Sequence, residues 1–208
     1  MLSNEDVRKI LDKFEIGFKH PFGPHGNESP EHILKRKIDE VNNKKNKGFT
    51  LWSFQARDKE GTLKYWKNEL DKYNGKTVRV FCKTCKGAKD AKSKKLLCTH
   101  YSEDFGNTWE KIPENIRIPH PKRTNFACAF KVKKILEAKE KNKVHKLGLR
   151  WLRVRDSKIE KAGSWSRKAY GRGEVLISPD KKAKPKNLPI SAVLELESPY
   201  IVMLKFEK

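Results

Sequence analysis

Three cysteines and one histidine lie near one another in the sequence and could together bind a metal ion. Cys82, Cys85, Cys98 and His100 give the spacing C-x2-C-x12-C-x-H. Zinc in structural sites is held by four thiolate or imidazole ligands, and a C-x2-C turn supplies two of them from one tight loop. The spacing therefore predicts a structural zinc knuckle at 82–100, with no coordination position left open for catalysis.

The same cysteines have an apolar interpretation, which the sequence leaves open. Cys82 falls on the inward side of a predicted strand and Cys98 follows two leucines, and free thiols in such places pack as small hydrophobic groups. Cys128 lies in an apolar strand and is expected in the core. If zinc is bound, it holds a basic loop at 83–95 whose six lysines could face phosphate.

A second stretch, residues 149–174, combines arginines with aromatic residues: LRWLRVRDSKIEKAGSWSRKAYGRGE. Arginine binds phosphate or base edges through a planar fork, and bases stack on Trp and Tyr rings. The stretch therefore predicts a nucleic-acid-binding face, although its tryptophans could instead belong to the core. With two lysines of a neighbouring strand, the residues assigned to this face are Lys131, Lys133, Arg150, Arg153, Arg155, Trp165, Arg167, Lys168, Tyr170 and Arg172.

The net charge of the chain is strongly positive and unevenly distributed. The formal charge is +22, of which residues 1–75 contribute +3 and residues 76–208 contribute +19. Such an excess repels itself in a folded protein, so a polyanion is the expected partner, and nucleic acid is the most common one. A generally lysine-rich composition is the alternative explanation, but the one-sided distribution argues against it.

Several classes of protein are disfavoured by what the sequence lacks. No apolar run of about eighteen residues is present, so we predict no membrane-spanning segment. The N-terminus MLSNEDVRKILDKFE is charged throughout, unlike a signal peptide. These features, with four cysteines that favour thiols or a metal over disulfides, predict a cytoplasmic protein. The oligomeric state is left open.

An enzyme is the first alternative to a binding protein. The histidines form no recognisable centre and no nucleotide-binding or hydrolase motif is present, so no catalytic residue is assigned. A metal-dependent nuclease or a base-modifying enzyme would need clustered carboxylates, for which the candidates are Glu103, Asp104, Glu110, Glu195 and Glu197. A module that binds an acidic protein partner is a further alternative.

The hydrophobic periodicity divides the chain into N-terminal helices followed mainly by strands. Helical spacing predicts helices over 4–15, 30–43 and 62–73, with a loop over 19–30. Alternating patterns predict strands at 49–55, 76–82, 126–136, 147–155, 173–179, 191–198 and 200–206. The predicted fold is α+β: a strongly bent mixed or antiparallel sheet, or a small barrel, with N-terminal helices packed against it. Residues 1–48 form the helical segment and residues 49–208 the domain.

The order and the residue composition of three strands resemble those of the PUA-like superfamily, including its EVE and ASCH branches. The strands are FTLWSFQ (49–55), FACAFKVKKIL (126–136) and the closing PISAVLELESPYIVMLKFE (189–207). The resemblance implies a bent sheet or barrel that binds RNA or a modified base in DNA. It also implies a base pocket that would involve Trp52 and Phe54.

Overall fold

The computed structural model describes most of the chain, in separate segments. The described residues are 1–3, 5–6, 9, 16–25, 28–54, 75–84, 97–119, 127–138, 143–145, 149–153, 158–161, 174–179 and 187–206. Within them, one α-helix with described bounds accompanies a sheet whose neighbouring strands are mostly antiparallel. The predicted α+β class is therefore confirmed. The helix predicted at 62–73 lies outside the described residues.

Helix α1 spans Pro30–Asn42, as its sequence predicts. Ser29 caps it, since its hydroxyl accepts a hydrogen bond from the backbone N–H of His32, and Pro30 occupies the first helical position. A 3-10 turn, Lys44–Asn46, ends the helix. The N-terminal segment also begins as predicted, because Ser3 and Asp6 exchange capping hydrogen bonds.

Among the described residues, ten strands form one sheet and two more form a separate pair. The order in the large sheet is β2-β6-β12-β3-β1-β10-β8-β9, with β4 paired to β12 and to β5, and β7 is paired with β11. The bounds are β1 Ile16–Phe22, β2 Thr50–Phe54, β3 Val78–Thr84, β4 His100–Ser102, β5 Glu110–Lys111, β6 Ala127–Glu137, β7 Lys143–His145, β8 Leu149–Arg153, β9 Lys158–Lys161, β10 Glu174–Pro179, β11 Asn187–Pro189 and β12 Ala192–Lys205.

The sheet is open, which corrects the alternative prediction of a small barrel. Closure into a barrel would require the two end strands to pair. Among the described strands, β2 and β9 stand at opposite ends of the order and do not pair with each other.

Strand β1 is the main difference from the predicted elements. The sequence predicts a loop over 19–30, but residues 19–22 continue a strand that pairs parallel with β3 and antiparallel with β10. The two C-terminal strands predicted at 191–198 and 200–206 form one long strand, β12. Its register against β6 shifts between Leu196 and Ile201.

Alternate residues of β6 separate two apolar clusters on the two faces of the sheet. Cys128, Phe130 and Val132 belong to a larger cluster with residues of β3, β12 and α1, where Leu34 packs. Ala129 belongs to a smaller cluster with residues of the segment 97–119. The central strands β6 and β12 are therefore covered on both faces.

Candidate nucleic-acid interface

Strands β8 and β9, here called the basic hairpin, lie at one end of the sheet and pair their basic residues across the strands. Arg150 lies directly opposite Lys161, and Arg153 lies directly opposite Lys158. Four residues of these two short strands are basic and one, Glu160, is acidic. The two lysines were not among the predicted site residues, because the sequence pattern predicts no strand at 158–161.

The topology also fixes where the connection within the predicted basic, aromatic stretch begins and ends. Strand β8 lies between β9 and β10. Strand β9 ends at Lys161, opposite Arg150, and β10 begins at Glu174, opposite Arg153, so both ends of the connection 162–173 are fixed at β8. The predicted site residues that lie in the connections, outside the described residues, are Arg155, Trp165, Arg167, Lys168, Tyr170 and Arg172.

The two predicted site lysines of β6 differ in their surroundings. The ammonium of Lys131 lies 2.6 Å from the Glu103 carboxylate and 3.7 Å from that of Glu197. It also lies 5.1 Å from the centre of the Phe49 ring. Lys131 is therefore engaged by two carboxylates and a ring, whereas Lys133 is exposed.

The other carboxylates that a nuclease would use are engaged in structural contacts. Glu195 accepts hydrogen bonds from the Arg79 guanidinium at 3.2 Å, and Glu110 accepts one from a tyrosine hydroxyl at 2.7 Å. Asp104 accepts hydrogen bonds from the hydroxyl and the backbone N–H of Thr108, and these lower its pKa to about 2. Within the described segments, no group of three or more His, Cys, Asp or Glu side chains could hold a metal ion.

The aromatic residues of the predicted base pocket lie in β2. Trp52 is 3% exposed and belongs to the larger apolar cluster. Its ring meets those of Phe22 and His20 edge to face, with centroids 5.2 Å and 6.4 Å away. Phe54 is the last residue of β2, paired opposite Cys128. Trp52 therefore offers little ring surface to a base as it stands.

The predicted zinc ligands that the structure describes do not lie together in one site. Cys82 lies in the larger apolar cluster and Cys98 in the smaller one, on the opposite face of the sheet. Burial raises the pKa of Cys98 to about 12 and also raises the pKa of Cys82. The His100 imidazole lies 2.9 Å from the Thr99 hydroxyl. Because Cys85 lies outside the described residues, the zinc site stays a prediction that metal analysis of the purified chain would check.

Comparison with known protein families, with curated proteins and with solved structures finds no match to this chain. Among the described residues, no helix is long and apolar enough to cross a membrane.

Proposed function

We propose that the protein binds nucleic acid through the basic hairpin and the connection that begins and ends beside it. The observation that carries the proposal is the register, in which Arg150 faces Lys161 and Arg153 faces Lys158. Like charges directly opposite each other in an antiparallel pair destabilise a sheet. Two such pairs in one short hairpin are expected where a polyanion offsets the repulsion.

The charges on the described central strands also favour the basic hairpin as the binding site. There, Lys131 and Arg79 form ion pairs with carboxylates, so their side chains are less able to bind phosphate. The hairpin, by contrast, carries four basic residues and one acidic residue, with Glu174 opposite Arg153 on its inner side. The resemblance to PUA-like proteins, with a strongly bent sheet, remains part of the proposal.

A salt titration tests the proposal. We expect affinity for DNA or RNA oligonucleotides to fall steeply with rising salt, because each neutralised phosphate releases counterions. The double variant Arg150→Gln/Arg153→Gln should reduce the slope of log K against log salt by about 1.4 to 1.8, at about 0.7 to 0.9 for each lost phosphate contact. Fluorescence anisotropy measures both quantities.

The matched control removes two positive charges elsewhere. Lys35 on α1 and Lys111 on β5 are both exposed, and the variant Lys35→Gln/Lys111→Gln should keep the wild-type slope. Arg167→Gln changes a residue outside the described strands and should also reduce the slope. It keeps the test valid if the double hairpin variant misfolds. Absence of binding at low salt, or an equal loss in the control, would contradict the proposal.

A further inference from the structure

Three lysines are held by an ordered turn at the end of α1. Lys44, Lys45 and Lys47 are all exposed. The Asn43 side chain accepts a hydrogen bond from the backbone of Lys45, and the buried Asn46 side chain donates to the Glu40 carbonyl at 2.8 Å. The turn therefore presents three ammonium groups from a fixed backbone.

Two further exposed lysines, Lys133 and Lys134, lie on β6. Thr50 at the start of β2 is paired with Val132 in an antiparallel register. The residues before Thr50 therefore run alongside those after Val132. The five lysines 44, 45, 47, 133 and 134 thus occupy one corner of the sheet, here called the lysine corner.

The lysine corner is positively charged and unneutralised within the described part of the chain. None of its five side chains forms an ion pair with another described residue, whereas the neighbouring Lys131 contacts two carboxylates. The negative end of the α1 dipole can stabilise Lys44 and Lys45 at the helix C-terminus. It does not explain Lys133 and Lys134, which lie on a strand.

The lysine corner and the basic hairpin lie far apart on one sheet. Five strand-to-strand steps separate β6 from β8, which corresponds to about 24 Å at about 4.8 Å a step. One unbroken register row connects them, and its members are Lys134, Glu195, Arg79, Gly17, Leu176 and Trp151.

We propose that the lysine corner is a second contact for the nucleic acid that binds the basic hairpin, so that full affinity requires a polymer long enough to reach both. The inference rests on the proposed function and adds a length requirement to it. Two contacts on one chain raise affinity because the second forms at a high effective concentration. An oligomer of about 5 nucleotides has about four internucleotide phosphates, whose three intervals span about 10 Å when the bases stack at about 3.4 Å per nucleotide. Even when the strand is extended, these phosphates do not reach across the gap.

The test compares oligomers of about 5 and about 20 nucleotides, in both DNA and RNA, by anisotropy at several salt concentrations. We expect Lys133→Gln/Lys134→Gln to reduce the salt slope for the longer oligomer by about 1.5 and to leave the shorter one unchanged. Lys35→Gln/Lys111→Gln is again the matched control.

Lys47→Gly is a second variant that should not unfold the protein. Lys47 has φ 54°, in the left-handed region, which glycine adopts more readily than lysine. We expect the variant to keep or raise the unfolding temperature while it weakens binding of the longer oligomer.

The outcomes separate this inference from the proposed function. If the corner variants bind the longer oligomer as the wild type does while the hairpin variant loses affinity, the lysine corner is not a contact and the hairpin site stands. If the corner variants lose equal affinity for both lengths, the two-contact arrangement is wrong. If the wild type binds neither oligomer, both proposals fail.

Discussion

His20 is a histidine held among aromatic rings. Its imidazole meets the Trp52 and Phe130 rings edge to face, with centroids 6.4 Å and 6.0 Å away. Burial lowers its pKa to about 4, because a charged imidazolium would lose its hydration there. The folded protein therefore keeps this ring neutral at a pH at which an unfolded chain would protonate it.

This difference predicts a loss of stability in mild acid. Below the unfolded pKa of about 6.5, the unfolded state gains a proton that folded His20 does not, so stability falls until the pH reaches about 4. Between about pH 7.5 and about pH 5, the contribution of His20 amounts to a loss of at most about 2 kcal/mol, because the ring is only partly shielded from water. Urea unfolding at the two pH values, followed by tryptophan fluorescence, measures it.

His20→Phe provides the comparison, because a phenyl ring keeps the aromatic contacts and cannot titrate. We expect its loss of stability between the two pH values to be smaller than that of the wild type by that amount. His32→Gln, which removes an exposed histidine of α1, should behave as the wild type. Equal acid sensitivity in His20→Phe and the wild type would show that His20 is not responsible.

Single residues also show what the sequence could and could not predict. The alternation in β6 correctly predicts that Lys131 lies on the side away from Phe130, since Lys131 contacts the Phe49 ring of the smaller cluster. It does not predict that Lys131 contacts Glu103 and Glu197, because these come from segments distant in sequence. The direction of a side chain on a strand is a local property, whereas its partners depend on topology.

At the scale of elements, a buried network of hydrogen bonds centred on Glu40 connects α1 to the sheet. Its carboxylate accepts hydrogen bonds from Arg36 and Lys37, both at 2.6 Å, from Thr50 of β2 at 2.5 Å, and from the backbone N–H of Arg117 at 3.2 Å. Burial lowers the pKa of Lys37 to about 8 although Glu40 opposes that shift. The network joins α1, β2 and the segment before residue 119.

Glu40→Gln should therefore be strongly destabilising. The change leaves the buried Lys37 ammonium without its counter-charge, and loss of one partner of a buried pair costs about 3 kcal/mol or more. Asp39→Asn makes the same chemical change at the adjacent, exposed position and should cost less than about 0.5 kcal/mol. Chemical denaturation of both variants checks the prediction, and similar stabilities would contradict it.

Strand β1 shows why some elements escape sequence analysis. Its residues IGFKHPF contain a glycine and a proline, which locally favour a turn. Its hydrogen bonds are made with β3 and β10, which begin at Val78 and Glu174. The helix at 30–42, in contrast, has its cap and its apolar spacing within the fourteen consecutive residues 29–42. Local signals therefore predict α1, while β1 depends on distant neighbours.

At the scale of the whole molecule, the charge of +22 acts on folding as well as on binding. The sequence correctly locates the excess in residues 76–208, but it does not separate neutralised lysines such as Lys131 from exposed ones such as Lys134. That separation depends on which acidic residues the fold brings close. Charges without a nearby carboxylate repel one another in the compact state more than in an unfolded chain.

We therefore predict that sodium chloride stabilises the protein while it weakens nucleic-acid binding. Raising the concentration from about 20 mM to about 200 mM shortens the screening length to less than about 10 Å and reduces the repulsion. Partly buried pairs such as Lys131–Glu103 are screened less than the exposed lysines. We expect the unfolding temperature to rise by about 2 to 4 °C, which corresponds to about 1 kcal/mol. Circular dichroism measures it, and a fall with salt would show that attractive ion pairs outweigh the repulsion.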